Sequence, residues 1–125
     1  MAQRILIVDD DPNIILMVST RLMAHSYEII SAMDGQTGYD MAQKEKPDLI
    51  ILDLMLPKMD GYKVCALLKR DYRYVKIPIL MFTARAQQED MKLAEEVGAD
   101  AFMAKPFRAE DLLAKIHGLL PSGRS

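Results

Sequence analysis

The sequence predicts a three-layer α/β sandwich, a five-stranded parallel sheet covered by helices on both faces. Three observations carry this. Five short β-rich apolar runs alternate with five longer amphipathic stretches. Two of the runs, Ile5–Val8 and Leu49–Leu52, are apolar at every position, as strands buried on both faces should be. The chain has 125 residues, which suits one domain with a full core.

The elements follow in order. A first strand over Arg4–Val8 runs into Asp9-Asp10-Asp11. A helix over Pro12–Ala24 begins with a proline whose missing N–H needs no partner there. Asp11 is placed to cap it. Ile14, Met17, Val18 and Leu22 form its apolar stripe. Strands over Tyr27–Ser31, Asp48–Leu52, Ile79–Phe82 and Ala101–Met103 alternate with helices over Gln36–Lys46, Tyr62–Arg70, Gln87–Val97 and Ala109–Leu120. Gly98 reads as a helix stop. Leu112, Leu113, Ile116, Leu119 and Leu120 give the last helix its stripe. Right-handed crossovers restrict the topology, and the flavodoxin-like (βα)5 order 2-1-3-4-5 fits best, with strands 1 and 3 adjacent at the switch point. Residues 1–120 are read as the domain and 121–125 as a disordered tail.

Composition narrows the function. The net charge is −2, which does not point to direct binding of nucleic acid or of a membrane surface. No apolar run approaches the ~20 residues that span a bilayer, and the N-terminus enters its first strand without a leader, so a cytoplasmic setting is expected. Cys65 is the one cysteine and reads as a small packed side chain. Among the ten methionines, Met17, Met23, Met41, Met81, Met91 and Met103 are expected to fill the core. His25 and His117 read as surface residues.

Ligand sites in open α/β sheets lie beyond the carboxyl ends of the strands. Every reactive candidate maps to that edge. Asp9, Asp10 and Asp11 follow strand 1, Asp53 follows strand 3, Thr83 follows strand 4 and Lys105 follows strand 5. Each alone has an ordinary reading: a solvated turn, a helix cap, a surface lysine. Their convergence on one edge favours a site. Adjacent strands bring Asp9 or Asp10 close to Asp53, and two carboxylates ~4 Å apart repel by about 4 kcal/mol at an effective dielectric of ~20. A cation, raised pKa values or the Lys105 ammonium must offset that repulsion. Oxygen ligands with room for water favour Mg²⁺ (or Mn²⁺). With such a cation, Asp53 is a candidate nucleophile towards phosphorus.

The motifs Ile5-Leu6-Ile7-Val8-Asp9-Asp10-Asp11, Asp53-Leu54-Met55-Leu56-Pro57-Lys58-Met59-Asp60-Gly61, Phe82-Thr83-Ala84, Gly98-Ala99-Asp100-Ala101-Phe102 and Lys105-Pro106-Phe107 occur in order. Together they resemble the receiver domain of bacterial two-component response regulators over nearly the whole chain, and in particular the stand-alone, single-domain type. The resemblance implies that Asp53 takes a phosphoryl group from a histidine kinase or phosphotransfer protein. It implies that Asp10, Asp53 and the Met55 carbonyl ligate Mg²⁺, with Asp9 acting through water. Lys105 would pair with the phosphoryl oxygens, Thr83 would approach them, and Phe102 would turn inward behind it. The Lys105–Pro106 bond would be cis.

The same resemblance implies a switch that catalyses only its own phosphorylation and dephosphorylation and acts on an output protein through the helix 4–strand 5–helix 5 face. Met55 and Arg85 occupy two variable positions that govern water access to the acyl phosphate, and Met55 cannot orient water, so a long-lived phosphorylated state is expected. The ion pairs by which DNA-binding relatives dimerise would match Met91 with Asp111 and Ala101 with Lys115. Each pair lacks a charge, which leaves a monomer or weak dimer. The rival reading is a haloacid-dehalogenase-like phosphatase using Asp9. It finds its Asp-x-Asp in Asp9-Asp10-Asp11, but Asn13 stands where Thr or Val is usual.

Overall fold

The computed structural model describes residues 2–84 and 87–120. Arg85 and the tail 121–125 therefore lie outside the described residues. The elements run β1 (Arg4–Val8), α1 (Pro12–Met23), β2 (Glu28–Ala32), α2 (Gly35–Glu45), β3 (Leu49–Asp53), α3 (Gly61–Lys69), β4 (Ile79–Thr83), α4 (Gln88–Glu96), β5 (Ala101–Ala104) and α5 (Ala109–Leu119). All neighbouring strands pair in parallel, in the order β2-β1-β3-β4-β5. The expected fold class and strand order hold.

The central strands send alternate side chains into two cores, because strand side chains alternate with period 2. Leu6, Val8, Ile50, Leu52 and Met81 face Val64, Cys65, Leu68 and Ala94 of α3 and α4. Ile5, Ile7, Leu49, Ile51 and Phe82 face Val18, Leu22, Leu112 and Ile116 of α1 and α5. Each fully buried Ile or Leu contributes roughly 1.5–3 kcal/mol of transfer free energy, which is why a run apolar on both sides stays at the sheet centre.

Three aspartates start helices. Asp11 accepts from the Asn13 N–H at 2.9 Å, Asp34 from Thr37 at 2.7 Å and Asp60 from Lys63 at 2.9 Å. The second and third helices thus begin one residue earlier than expected, at Gly35 and Gly61. Gly61 sits where a Cβ would overlap the carbonyl oxygen of Asp53, so this turn admits no side chain. Gly98 ends α4 with a φ of 94°.

Three expectations need correction. Strand β2 is shifted to Glu28–Ala32, and β3 and β4 extend through Asp53 and Thr83, which pair with Phe82 and Ala104. Backbone pairing continues past the apolar run because the ladder uses main-chain groups and not side chains. Of the methionines expected in the core, Met81 and Met103 are buried, whereas Met17, Met23 and Met91 are 45%, 59% and 49% exposed. They lie on the rims of their helical stripes, where an apolar residue fits the pattern without reaching the core. Cys65 is buried, and His25 and His117 are exposed, as expected.

Candidate functional site

The register places the site. Val8 is paired with Leu52, so the next residues, Asp9 just past β1 and Asp53 at the end of β3, lie side by side at the carboxyl edge of the sheet. Both are buried, at 0% and 6% exposure, while Asp10 is exposed. Carboxylate oxygens of Asp9, Asp10 and Asp53 lie within 4.8 Å of one another. The Lys105 ammonium bridges two of them, at 2.9 Å from Asp9 Oδ2 and 3.4 Å from Asp53 Oδ2. It also lies 4.6 Å from the centroid of the Phe82 ring, a cation–π distance. Asp9 Oδ1 accepts from the Asp11 N–H at 2.9 Å, and Asp53 Oδ1 from the Met55 N–H at 3.4 Å.

The electrostatics follow from burial and charge. Burial pushes the Asp53 carboxyl above the ordinary range, the Asp9 charge adds to this, and Lys105 opposes it. Burial alone pulls Lys105 down, yet its bond to Asp9 and the charges of Asp53 and Asp9 outweigh that and raise it. Three carboxylates face one ammonium, so two negative charges remain in excess. An all-oxygen cluster that is partly open and negatively charged is the donor set a hard divalent cation such as Mg²⁺ takes. The residues present fit that ion.

The other expected residues fall around this centre. Thr83 is buried at the end of β4, and its carbonyl accepts from the Lys105 N–H at 2.8 Å. Phe102 is half-buried on β5 opposite Met81 and packs into the α3–α4 core. Met55 is 55% exposed in the β3–α3 connection. The Lys105–Pro106 bond is cis. Sequence reasoning missed the ring of Phe82 beneath Lys105, the close approach of Gly61 to Asp53, and a buried carboxylate on α4, Asp90. The Asp90 signal was present: it stands four residues before buried Ala94, on the inner face of its helix.

The family model for the response regulator receiver domain matches residues 5–117. The chain belongs to this family. It is 48% identical over 117 residues to the DNA-binding dual master transcriptional regulator RpaA of Synechocystis sp., covering 94% of this chain and 48% of that protein. It is 41% identical over 120 residues to the alkaline phosphatase synthesis transcriptional regulatory protein PhoP of Bacillus subtilis, covering 96% and 49%. The chain thus spans about half the length of the curated relatives it matches. Among solved structures, the chemotaxis protein CheY4 of Vibrio cholerae superposes with a TM-score of 0.89 at 34% identity, over 96% of this chain and 100% of that one. The receiver domain is a phosphorylation-activated signalling switch. Nothing in these matches supports the phosphatase reading. Among the described residues, no helix is long and apolar enough to cross a membrane.

Proposed function

We propose that Asp53 is the phosphoacceptor. Its carboxylate oxygen attacks phosphorus in the phosphohistidine of a histidine kinase or phosphotransfer protein, or in a small phosphodonor. An O–P bond forms as the P–N bond breaks, and the imidazole leaves with the electron pair and takes up a proton. The observation that carries this reading is the Lys105 ammonium bridging buried Asp9 and Asp53 beside exposed Asp10. In it, Asp10, Asp53 and the Met55 carbonyl would hold Mg²⁺ or Mn²⁺, with Asp9 acting through a coordinated water. The ion supplies charge neutralisation for the phosphoryl oxygens. Lys105, already within 3.4 Å of Asp53, transfers its bond to a phosphoryl oxygen. Thr83 then closes on the phosphate, and Phe102 turns inward to fill the space behind it.

The output of this switch is read on α4, β5 and α5. That face carries exposed Met91 and a groove of about 650 Å³ between β5 and α5, lined by Ala101, Asp111, Lys115 and Leu119. The proposed partner there is a protein, with the chain acting in the cytoplasm as a monomer or weak dimer. Nucleic acid stays outside the proposal: with a net charge of −2, this chain offers a phosphate backbone little attraction.

The test is incubation with Mg²⁺ and acetyl phosphate, followed by mass measurement. The wild type is expected to gain one phosphoryl group and Asp53→Ala none. An unreactive wild type, or an undiminished reaction in Asp53→Ala, overturns the assignment. Because Met55 offers no group that can orient water, the phosphorylated state is expected to be long-lived. Rapid loss of phosphate from the purified protein would contradict that.

A further inference from the structure

Asp90 is a buried carboxylate, 8% exposed, that the phosphoryl site does not use. It lies in the first turn of α4, where Ala94 is the other buried residue. Met91 and Leu93 of the same helix point outward, at 49% and 39% exposure. A helix with so little apolar burial draws its position from polar contacts. Asp90 supplies them. Its Oδ1 accepts from the Tyr62 hydroxyl at 3.0 Å, and the same hydroxyl lies 3.3 Å from the Asp90 carbonyl oxygen. Its Oδ2 accepts from the Gln87 N–H at 3.3 Å.

Tyr62 stands on α3, next to Gly61. Gly61 is seated against the Asp53 carbonyl, and its N–H donates to the Leu54 carbonyl at 2.9 Å. The Tyr62 ring packs into the α3–α4 core. A continuous set of contacts therefore joins the main chain at Asp53, the first turn of α3 and the first turn of α4.

We propose that the Tyr62–Asp90 hydrogen bond is a positioning link that tethers the first turn of α4 and sets how closely α4 follows a change at Asp53. The tether stands on geometry alone, whereas the coupling rests on Asp53 being the phosphoacceptor. The absence of space at Gly61 makes the start of α3 stiff, so displacement of the Asp53–Gly61 segment reaches the Tyr62 hydroxyl without being absorbed. A hydroxyl–carboxylate bond in a buried setting shifts a local opening equilibrium by about tenfold.

The experiment is residue-resolved amide hydrogen exchange and NMR on the full chain, wild type and Tyr62→Phe, without and with Mg²⁺ and beryllium fluoride. In Tyr62→Phe, amides of Met91 to Val97 are expected to exchange about tenfold faster, while those of β1 and β3 change less than twofold. Adding Tyr62→Phe to Asp90→Ala should add little to the effect of Asp90→Ala alone. Asp90→Asn, which keeps an acceptor for the hydroxyl, should retain most of the protection. With beryllium fluoride, Tyr62→Phe should still respond at Asp53 but lose at least half of the shift changes in α4. Uniform loss of protection across the domain, unchanged α4 exchange, or additive single effects would overturn the tether. Full α4 response in Tyr62→Phe would overturn the coupling. If no residue of the wild type responds to beryllium fluoride, the phosphoacceptor reading falls and the coupling with it, while the exchange arm still decides the tether.

Discussion

Strand β3 and helix α4 lie in the same small domain and are held in opposite ways. All five residues of β3 are buried, and four of them are Leu or Ile. Helix α4 buries Asp90 and Ala94, and presents Met91 and Leu93 to solvent. One element is fixed by two-sided apolar packing, which is dense and does not deform in small steps. The other is fixed by an alanine and a carboxylate, whose contacts can be exchanged for others at modest free energy. The difference separates the chemistry from its readout. Under the proposed function, the carboxylates that would meet an ion and a phosphoryl group stand at the ends of the more densely packed strands.

Three substitutions test this contrast. Ile51→Ala, at a fully buried β3 position, is expected to lower stability by about 3 kcal/mol in chemical denaturation. A loss below ~1 kcal/mol would mean that β3 is not the rigid element described. Asp53→Asn probes the charge at the end of that strand. The folded-state pKa of Asp53 is raised, chiefly by burial and then by Asp9, so its stabilising contribution is present at low pH and is lost as pH rises through that pKa. In metal-free buffer at pH 7 the asparagine variant should therefore be more stable than wild type by roughly 1 kcal/mol, or about 4 °C in Tm. The gap should close as the pH falls through the carboxylate range. A gap independent of pH would show that charge is not the cause. Met91→Ala is expected to change stability by less than ~0.5 kcal/mol, since the side chain is half exposed. The same change should weaken binding of an output protein about tenfold. An unchanged affinity would remove Met91 from the output surface.

The legible parts of the molecule are those written in local pattern. Continuous apolar runs announce central strands, and a charged or hydroxyl residue after each run marks a strand end. Asp9, Asp53, Thr83 and Lys105 could be placed on one edge for that reason. Strand ends were less legible, because Asp53 and Thr83 remain in the ladder although polar side chains follow the apolar runs there. The starts of α2 and α3 lie one residue before the expected bounds because Asp34 and Asp60 cap them and a glycine takes the first helical position. Met17, Met23 and Met91 fit an apolar stripe whose width a sequence does not state. Tyr62 and Asp90 are separated by 28 positions, and nothing in either segment names the other. Contacts of that kind depend on how two helices lean together, which only the folded chain specifies.

A second lysine gives the site an internal reference. Lys69 lies at the opposite edge of the sheet, 2.8 Å from Asp100 and donating to the carbonyls of Val75 and Ile77 at 3.0 and 2.8 Å. Its side chain is 11% exposed and that of Lys105 is 16% exposed, and each holds a carboxylate at almost the same distance. The two amines are buried to a similar degree but held differently, Lys69 by one part-exposed carboxylate and two carbonyls and Lys105 by two buried carboxylates, and only Lys105 stands where the proposed phosphoryl group would arrive. Their relative acylation by an amine-directed reagent is a ratio measured within one molecule, free of differences in concentration, folding or reagent. In that ratio Lys69 keeps time for Lys105.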